Sequence, residues 1–343
     1  MMPVSRVLST LILMAGAAAA SHATTSGEDL ADAAGRPLIG TPAPRFVLKS
    51  IDGDTIDLGR FYGRQAVYLK FWATWCVPCR QQMPHFQHAF ETAGPDMAVI
   101  AVNTGFNDSV DAVQTYRKRL GITMPIVIDD GRLAAAFGLR VTPQHIVIGR
   151  DGRILYVGHL ADARLDAALS AARAEPAVAV AREERSAATG RRYRVGDRVP
   201  ELSPTTLDGG RFQFRDAADP RPIVLVFLSP WCESYLAKSR PAASANCRRM
   251  REQVSELGSA DGVRWLGIAS GLWVTPEDLH DYQSKYGVAM PLTLDESGAL
   301  FRQFGVTEVP LAVMIDRQGR IVGEVAARDT RTATALRRAV DAL

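Results

Sequence analysis

The sequence predicts an α/β protein built as two tandem domains, each a central mixed β-sheet flanked by helices. Three observations carry this. The chain has 343 residues, too many for one small core. Its two halves can be laid over each other at nearly constant offsets. Each half alternates apolar runs of strand length with segments of helical spacing. With 47% hydrophobic and 22% charged residues, both halves can bury a core. The formal net charge of +3 is too small and too evenly spread to point to a nucleic-acid partner.

The repeat is visible in turn residues and in one dipeptide. Gly40, Pro44, Asp52-Gly53 and Trp75-Cys76 match Gly196, Pro200, Asp208-Gly209 and Trp231-Cys232, all at an offset of 156. Gly138, Pro143 and Gly152-Arg153-Ile154 match Gly305, Pro310 and Gly319-Arg320-Ile321 at an offset of 167. The second copy has therefore gained 11 residues net, most of them soon after Cys232. The copies are placed at 36–173 and 193–343, with 174–192, rich in Ala and Arg and containing Pro176, as a linker.

Each copy reads the same way along the chain. Runs 66–71 and 223–228, rich in β-branched and aromatic residues, suit strands buried on both faces. Each ends in a Trp-Cys turn that opens a helix. Strands follow at 97–102 and 264–269, helices at 110–120 and 276–286, and short strands at 125–128 and 291–294. After Pro143 and Pro310 come strands 146–148 and 311–315. A Gly-Arg turn then leads to last strands at 154–157 and 321–325, closing an antiparallel hairpin. The first copy ends in a helix over 160–173.

Residues 1–23 read as a secretory signal. Arg6 supplies the positive start, 7–20 an uncharged apolar run, and Ser21-His22-Ala23 the small residues of a cleavage site, with the cut after Ala23. Ala18-Ala19-Ala20 offers a second cut. The apolar run is shorter than the ~20 residues of a spanning helix, and no later segment could span a membrane. No cysteine follows the run, so a lipid anchor is not supported. The mature chain is expected in the periplasm, an oxidising compartment. Its four cysteines, Cys76, Cys79, Cys232 and Cys247, are too few for a disulfide scaffold and read as site residues.

Trp72-Ala73-Thr74-Trp75-Cys76-Val77-Pro78-Cys79 sits where an apolar strand gives way to a helix. Free N–H groups and partial positive charge at a helix N-terminus favour a thiolate. Cys76 is therefore expected to attack, and Cys79, one turn on, to resolve the mixed disulfide. Pro78 is tolerated in the first turn because its missing N–H had no intrahelical partner. A structural zinc site would need two further ligands at matching spacing, and no second C-x-x-C exists. No metal and no cofactor is expected.

With these residues in view, both copies resemble the thioredoxin-like redoxin family, and the first resembles its TlpA-like periplasmic disulfide reductases. W-A-T-W-C-V-P-C at 72–79 followed by Met83-Pro84 is close to that family's signature. The resemblance implies that Thr142-Pro143 forms a cis-proline loop that faces the cysteines and binds client backbone, and that Val309-Pro310 is its counterpart. Two positions depart from the pattern. Lys70 stands where thioredoxins carry a buried Asp, and Gln82 where TlpA-like reductases often carry a Glu. The head of Lys70 is expected to escape towards solvent, with a second reading in which it reaches the site and favours the thiolate electrostatically, and His145 to be a packed or surface residue with a second reading as a substitute base. Trp75 reads as exposed docking surface around Cys76, Trp72 as packing beneath it, and His85 and His88 as a solvated face.

In the second copy Tyr235 replaces the resolving cysteine, so the same cycle cannot run there. Cys247 lies 15 residues after Cys232, ~22 Å along an unbroken helix. Pro241 interrupts that helix, which leaves two readings: a fold-back that pairs Cys232 with Cys247, or two separate buried thiols. Ser229 stands three residues before Cys232 as in peroxiredoxins, but Leu225 occupies the place where their motif needs Pro. Copper chaperones of this fold use C-x-x-x-C, a spacing that neither copy has. The expected function is exported thiol–disulfide exchange in the reductase direction, on protein disulfide clients, recharged by a membrane thiol donor. A metallochaperone, a redox-linked binding module and a thiol peroxidase are the alternatives.

Overall fold

The structure is a computed structural model that describes residues 26–176, 192–258, 262–327 and 332–343. The signal segment, its cut after Ala23 and most of the linker lie outside the described residues. No helix among the described residues is long and apolar enough to cross a membrane.

The first copy begins with α1 (Gly27–Gly35), capped by Ser26 and Asp29 in a reciprocal capping box. A small hairpin follows, β1 (Val47–Lys49) with β2 (Thr55–Asp57). Next come β3 (Ala66–Trp72), α2 (Val77–Gln81), α3 (Met83–Glu91), β4 (Met97–Asn103), α4 (Val110–Leu120) and β5 (Ile126–Ile128). Then come α5 (Arg132–Ala136), β6 (Gln144–Ile148), β7 (Ile154–Gly158) and α6 (Ala163–Ala174). The sheet order is β5-β4-β3-β6-β7, with β3, β4 and β5 parallel and β6 and β7 antiparallel to their neighbours. Every residue of β3 is buried, as a central strand covered on both faces requires. Strands run one or two residues beyond their apolar stretches, because Trp72, Gln144 and His145 continue the ladder. Helices α1 and α5 and the β1–β2 hairpin are too short or too polar to show a period of their own. Packing decides α1 in particular: a Cβ at Gly35 would lie 2.6 Å from Val157, so only glycine lets this helix dock on β7.

The second copy holds β8 (Ile223–Leu228), α7 (Cys232–Ser239), α8 (Pro241–Leu257), β9 (Arg264–Ser270), α9 (Pro276–Tyr286) and β10 (Leu292–Asp295). It closes with α10 (Ala299–Gln303), β11 (Leu311–Ile315), β12 (Ile321–Ala326) and α11 (Thr332–Asp341). Its order, β10-β9-β8-β11-β12, repeats the first sheet strand for strand. The added residues lengthen α8. The chain breaks at Arg240, just before Pro241, where φ is −142° and ψ is 69°.

The two copies pack through the same face, and their contacts come in matched pairs. Within the first copy the Trp75 indole donates to the Phe106 carbonyl at 2.8 Å, and within the second the Trp231 indole donates to the Leu272 carbonyl at 2.9 Å. The N–H of Asn107 donates across to Thr307 at 2.7 Å, and that of Trp273 to Arg140 at 2.8 Å. Among the described residues Asn107 and Trp273 are the non-glycine residues with positive φ, 53° and 60°, so the two crossing loops share one unusual conformation.

Candidate functional site

Cys76 ends the turn after β3 and caps α2. Its sulfur accepts the N–H of Cys79 at 3.1 Å, and the chain behind it is held by the fully buried β3. Cys76 and Cys79 are bonded, with Cα atoms 5.2 Å apart. The Thr142–Pro143 and Val309–Pro310 bonds are both cis. The carbonyl oxygen of Thr142 lies 3.4 Å from Cys76 Sγ. Strand, helix start and proline loop thus converge on one sulfur. Trp72 packs beneath, against Tyr116 at 5.0 Å between ring centroids.

Two expectations need correction. Trp75 is not an exposed docking surface: it is 3% exposed, and Cys76 beside it 1%. The cause is the second copy. Trp231 lies against Trp75 at 5.0 Å, and Tyr235 meets the same ring edge-on. The Tyr235 hydroxyl accepts the N–H of Val77, one of the free donors at the head of α2. The Trp273 indole donates to Thr142 Oγ1 at 3.1 Å, and Asn107 Oδ1 accepts the N–H of Val309 at 3.0 Å. Each copy therefore touches the other's cis-proline loop. Arg240 pins this arrangement: it donates to Thr74 Oγ1 and the Asn107 carbonyl and pairs with Asp108 at 2.9 Å. The Asp108 side chain is wholly buried and also accepts from Thr74 N and Asn103 Nδ2, each at 2.8 Å.

Lys70 is the second correction. Its side chain does not reach solvent. It is fully buried in β3, with Nζ 5.3 Å over the Phe86 ring and without a hydrogen-bond partner. Every residue of β3 has a neighbour above and below, so the stem has no edge past which to extend. Burial pulls the Lys70 pKa down to about 7. His145, its cross-strand neighbour, is packed as well. Its ring nitrogens lie 2.8 Å from the Tyr68 hydroxyl and 2.8 Å from Gln82 Oε1, and burial holds its pKa well below the ordinary histidine value. His85 pairs with Asp166 at the rim.

In the second copy Cys232 and Cys247 are bonded, with Cα atoms 6.2 Å apart. The break at Arg240 turns α8 back along α7, and Arg251 ties the two by a pair to Glu233 at 2.7 Å. Cys247, Ser229, Met250, Tyr282 and Pro310 line a small, mainly apolar pocket behind this bond. Leu225 is buried in β8. The parts of the site that sequence reasoning missed are Tyr235 as a contact, Arg240, Asp108 and Trp273. Tyr235 carried one signal, an aromatic residue in the place of a lost cysteine. The others gain meaning only when the copies meet.

The chain belongs to the AhpC/TSA family, whose model matches residues 39–157 and 195–323, one stretch in each copy. Among curated proteins it is similar to the thiol-disulfide oxidoreductase ResA of Halalkalibacterium halodurans, 38% identical over 120 residues. It is also 32% identical over 120 residues to ResA of Bacillus subtilis. Each match takes in 34% of this chain and 66% and 65% of those relatives, just under two thirds of their length. The thioredoxin-like protein YneN of Bacillus subtilis is 32% identical over 133 residues, 38% of this chain and 78% of YneN. A solved thiol:disulfide interchange protein of Chlorobium tepidum aligns at 27% identity with a TM-score of 0.36, over 39% of this chain and 97% of its own.

Proposed function

We propose that this chain is an exported thiol–disulfide oxidoreductase that reduces disulfides of protein clients through Cys76, with Cys79 as the resolving thiol. One observation carries the reading. Two cysteines within bonding distance sit at the head of a helix, against the carbonyl of a residue that precedes a cis-proline. The N–H groups of α2 stabilise a thiolate at Cys76. The backbone at Thr142, just before β6, is placed beside Cys76 to pair with a client segment once it is uncovered. Trp75 and Pro78 shape the surroundings of the sulfur, and Pro310 forms the corresponding loop of the second copy. The names of the ResA relatives support exchange chemistry. The reductase direction, the periplasm and recharging by a membrane thiol donor rest on the TlpA-like resemblance and on the signal-like residues 1–23. In this reading 36–173 is the catalytic domain, 174–192 the linker and 193–343 a degenerate partner that covers the site.

Cys76 is 1% exposed, and Trp231 and Tyr235 lie over its neighbours Trp75 and Val77, so a protein client gains full access when the second copy moves aside. The testing experiment is a trap. Cys79→Ser should accumulate mixed disulfides on Cys76 when offered a disulfide-bonded protein, and Cys76→Ser should abolish exchange. Wild-type turnover by Cys76→Ser, or no adduct in Cys79→Ser, would defeat the reading.

A further inference from the structure

We infer that a groove beside Cys76 admits small disulfides that carry carboxylates, a substrate class that rests on the exchange function proposed above. The groove holds about 460 Å³, within the range of about 300–1,000 Å³ of small-molecule sites and too little for a folded protein. Cys76 is one of its lining residues, with Thr74, Trp75 and Val77 around the head of α2. Helix α4 supplies a second wall. Ser239 and Arg240, at the break between α7 and α8, supply a third. The groove is therefore present while the second copy lies over Trp75 and Val77, so a small molecule and a protein client need not share one route.

Its charge selects the ligand. Arg80 and Arg119 both line it, both are exposed, and neither pairs with a carboxylate among the described residues. The Arg119 guanidinium lies over the Tyr116 ring at 5.4 Å. The charge of Arg240 is already matched by Asp108. Among the described residues the one carboxylate in the lining is Asp111, exposed in the first turn of α4, where it complements the helix start. Two unmatched arginines beside the reactive sulfur attract a carboxylate, and their planar forks can hold it by paired hydrogen bonds. Tyr116 adds a polar contact of another kind. It lines the same groove, and its buried hydroxyl has no hydrogen-bond partner among the described residues. A ligand oxygen would supply one.

The duplication supplies an internal control. At the offset of 156, Arg80 corresponds to Leu236, which is buried in α7. The copy without a resolving thiol thus lacks this cation as well. Ser239 and Arg240, in turn, belong to the stretch after Cys232 where the second copy is longer. Neither copy carries the whole groove: one brings the sulfur and the unmatched cations, the other brings the outer wall.

The step balances. In the reduced protein the Cys76 thiolate attacks one sulfur of the small disulfide, and one small thiolate departs. Cys79 then attacks Cys76 Sγ, and the second small thiolate departs. Two electrons pass from the protein dithiol to the small disulfide. The Cys79 proton and one proton from solvent end on the two small thiols, and the Cys76–Cys79 bond is formed.

The test uses the reduced full chain and two small disulfides of nearly one shape, those of mercaptoacetate and of mercaptoacetamide, which differ in charge. The readout is the ratio of the two rates at which they oxidise Cys76 and Cys79. In the double variant Arg80→Gln/Arg119→Gln the ratio of acid to amide should fall at least about tenfold, and in wild type it should fall as salt is added. An arginine that acted only on the Cys76 thiolate would slow both disulfides alike and leave the ratio unchanged. That result would overturn the assignment. Should the double variant fail to fold, Ser239→Glu decides, because it sets a carboxylate in the outer wall at an exposed position. It should lower the ratio about fivefold, and an unchanged ratio would again overturn the assignment. No oxidation of the wild-type pair by either disulfide would instead defeat the exchange reading itself.

Discussion

Lys70 ties a single side chain to the stability of the fold. In the unfolded chain a lysine keeps its proton to near pH 10.5, whereas burial brings that point down to about 7 in the folded protein. Between those values the unfolded chain binds the extra proton, so this residue makes stability rise with pH. Below pH 7 both states are charged and the whole desolvation cost falls on the folded state. Lys70→Met removes the cost. Its advantage over wild type should therefore be largest at acid pH and shrink by roughly 3 kcal/mol between pH 6.5 and 9.5. Denaturant unfolding of the oxidised proteins at the two pH values measures this, and a constant difference would mean that Lys70 keeps an ordinary titration. Sequence reasoning left the head of Lys70 either in solvent or at the site. A lysine's stem permits either outcome, and only the packing of α3 and β6 over β3 decides between them.

The elements that meet over Cys76 are α2, the loop after β4 and the break between α7 and α8. Arg240 sits at that break and is the cation for Asp108, whose carboxylate is wholly buried. Removing one partner of such a pair leaves an uncompensated charge, at a cost of about 3–5 kcal/mol. Arg240→Ala should therefore loosen the contact between the copies. Reduction of the Cys76–Cys79 bond by a protein dithiol should become at least tenfold faster, while a small phosphine should gain less. Equal rates with the protein dithiol in both proteins would show that the second copy is no barrier. Tyr235→Phe should act in the same direction but more weakly, since it loses one hydrogen bond, worth about 1 kcal/mol. The pattern of strands and long helices was legible because apolar period and turn chemistry agree there. Helices α5 and α10, each 5 residues, were not, because they span little more than one turn.

Across the whole molecule, one repeat carries the exchangeable pair and the other a bond of different geometry. The Cys232–Cys247 bond closes a loop with a sequence separation of 15, for which loop entropy gives about 3 kcal/mol. Replacing both cysteines by serine should lower stability by roughly that amount and leave resolution by Cys79 unchanged. Calorimetry measures the first effect, and release of a small thiol held on Cys76 as a mixed disulfide measures the second. A lost release with unchanged melting would identify the bond as a relay in the redox cycle.

The sequence by itself determined the duplication, the sheet of each copy and the place of the Cys76–Cys79 motif at a helix start, and the family resemblance implied the two cis-proline loops. Each of these rests on residues close together in the chain or repeated at a constant offset. Trp75-Cys76 and Trp231-Cys232 announce the turn, and Pro143 and Pro310 the loops that face it. Only the tertiary structure decided that Cys76 is covered, that Lys70 is buried without a partner, and that Cys247 reaches Cys232. Each of these depends on surfaces brought together from distant parts of the chain: Tyr235 on Val77, α3 and β6 on β3, α8 folded back on α7. Such contacts leave no periodic trace, because a residue's own neighbours in sequence do not carry the identity of the surface it will meet.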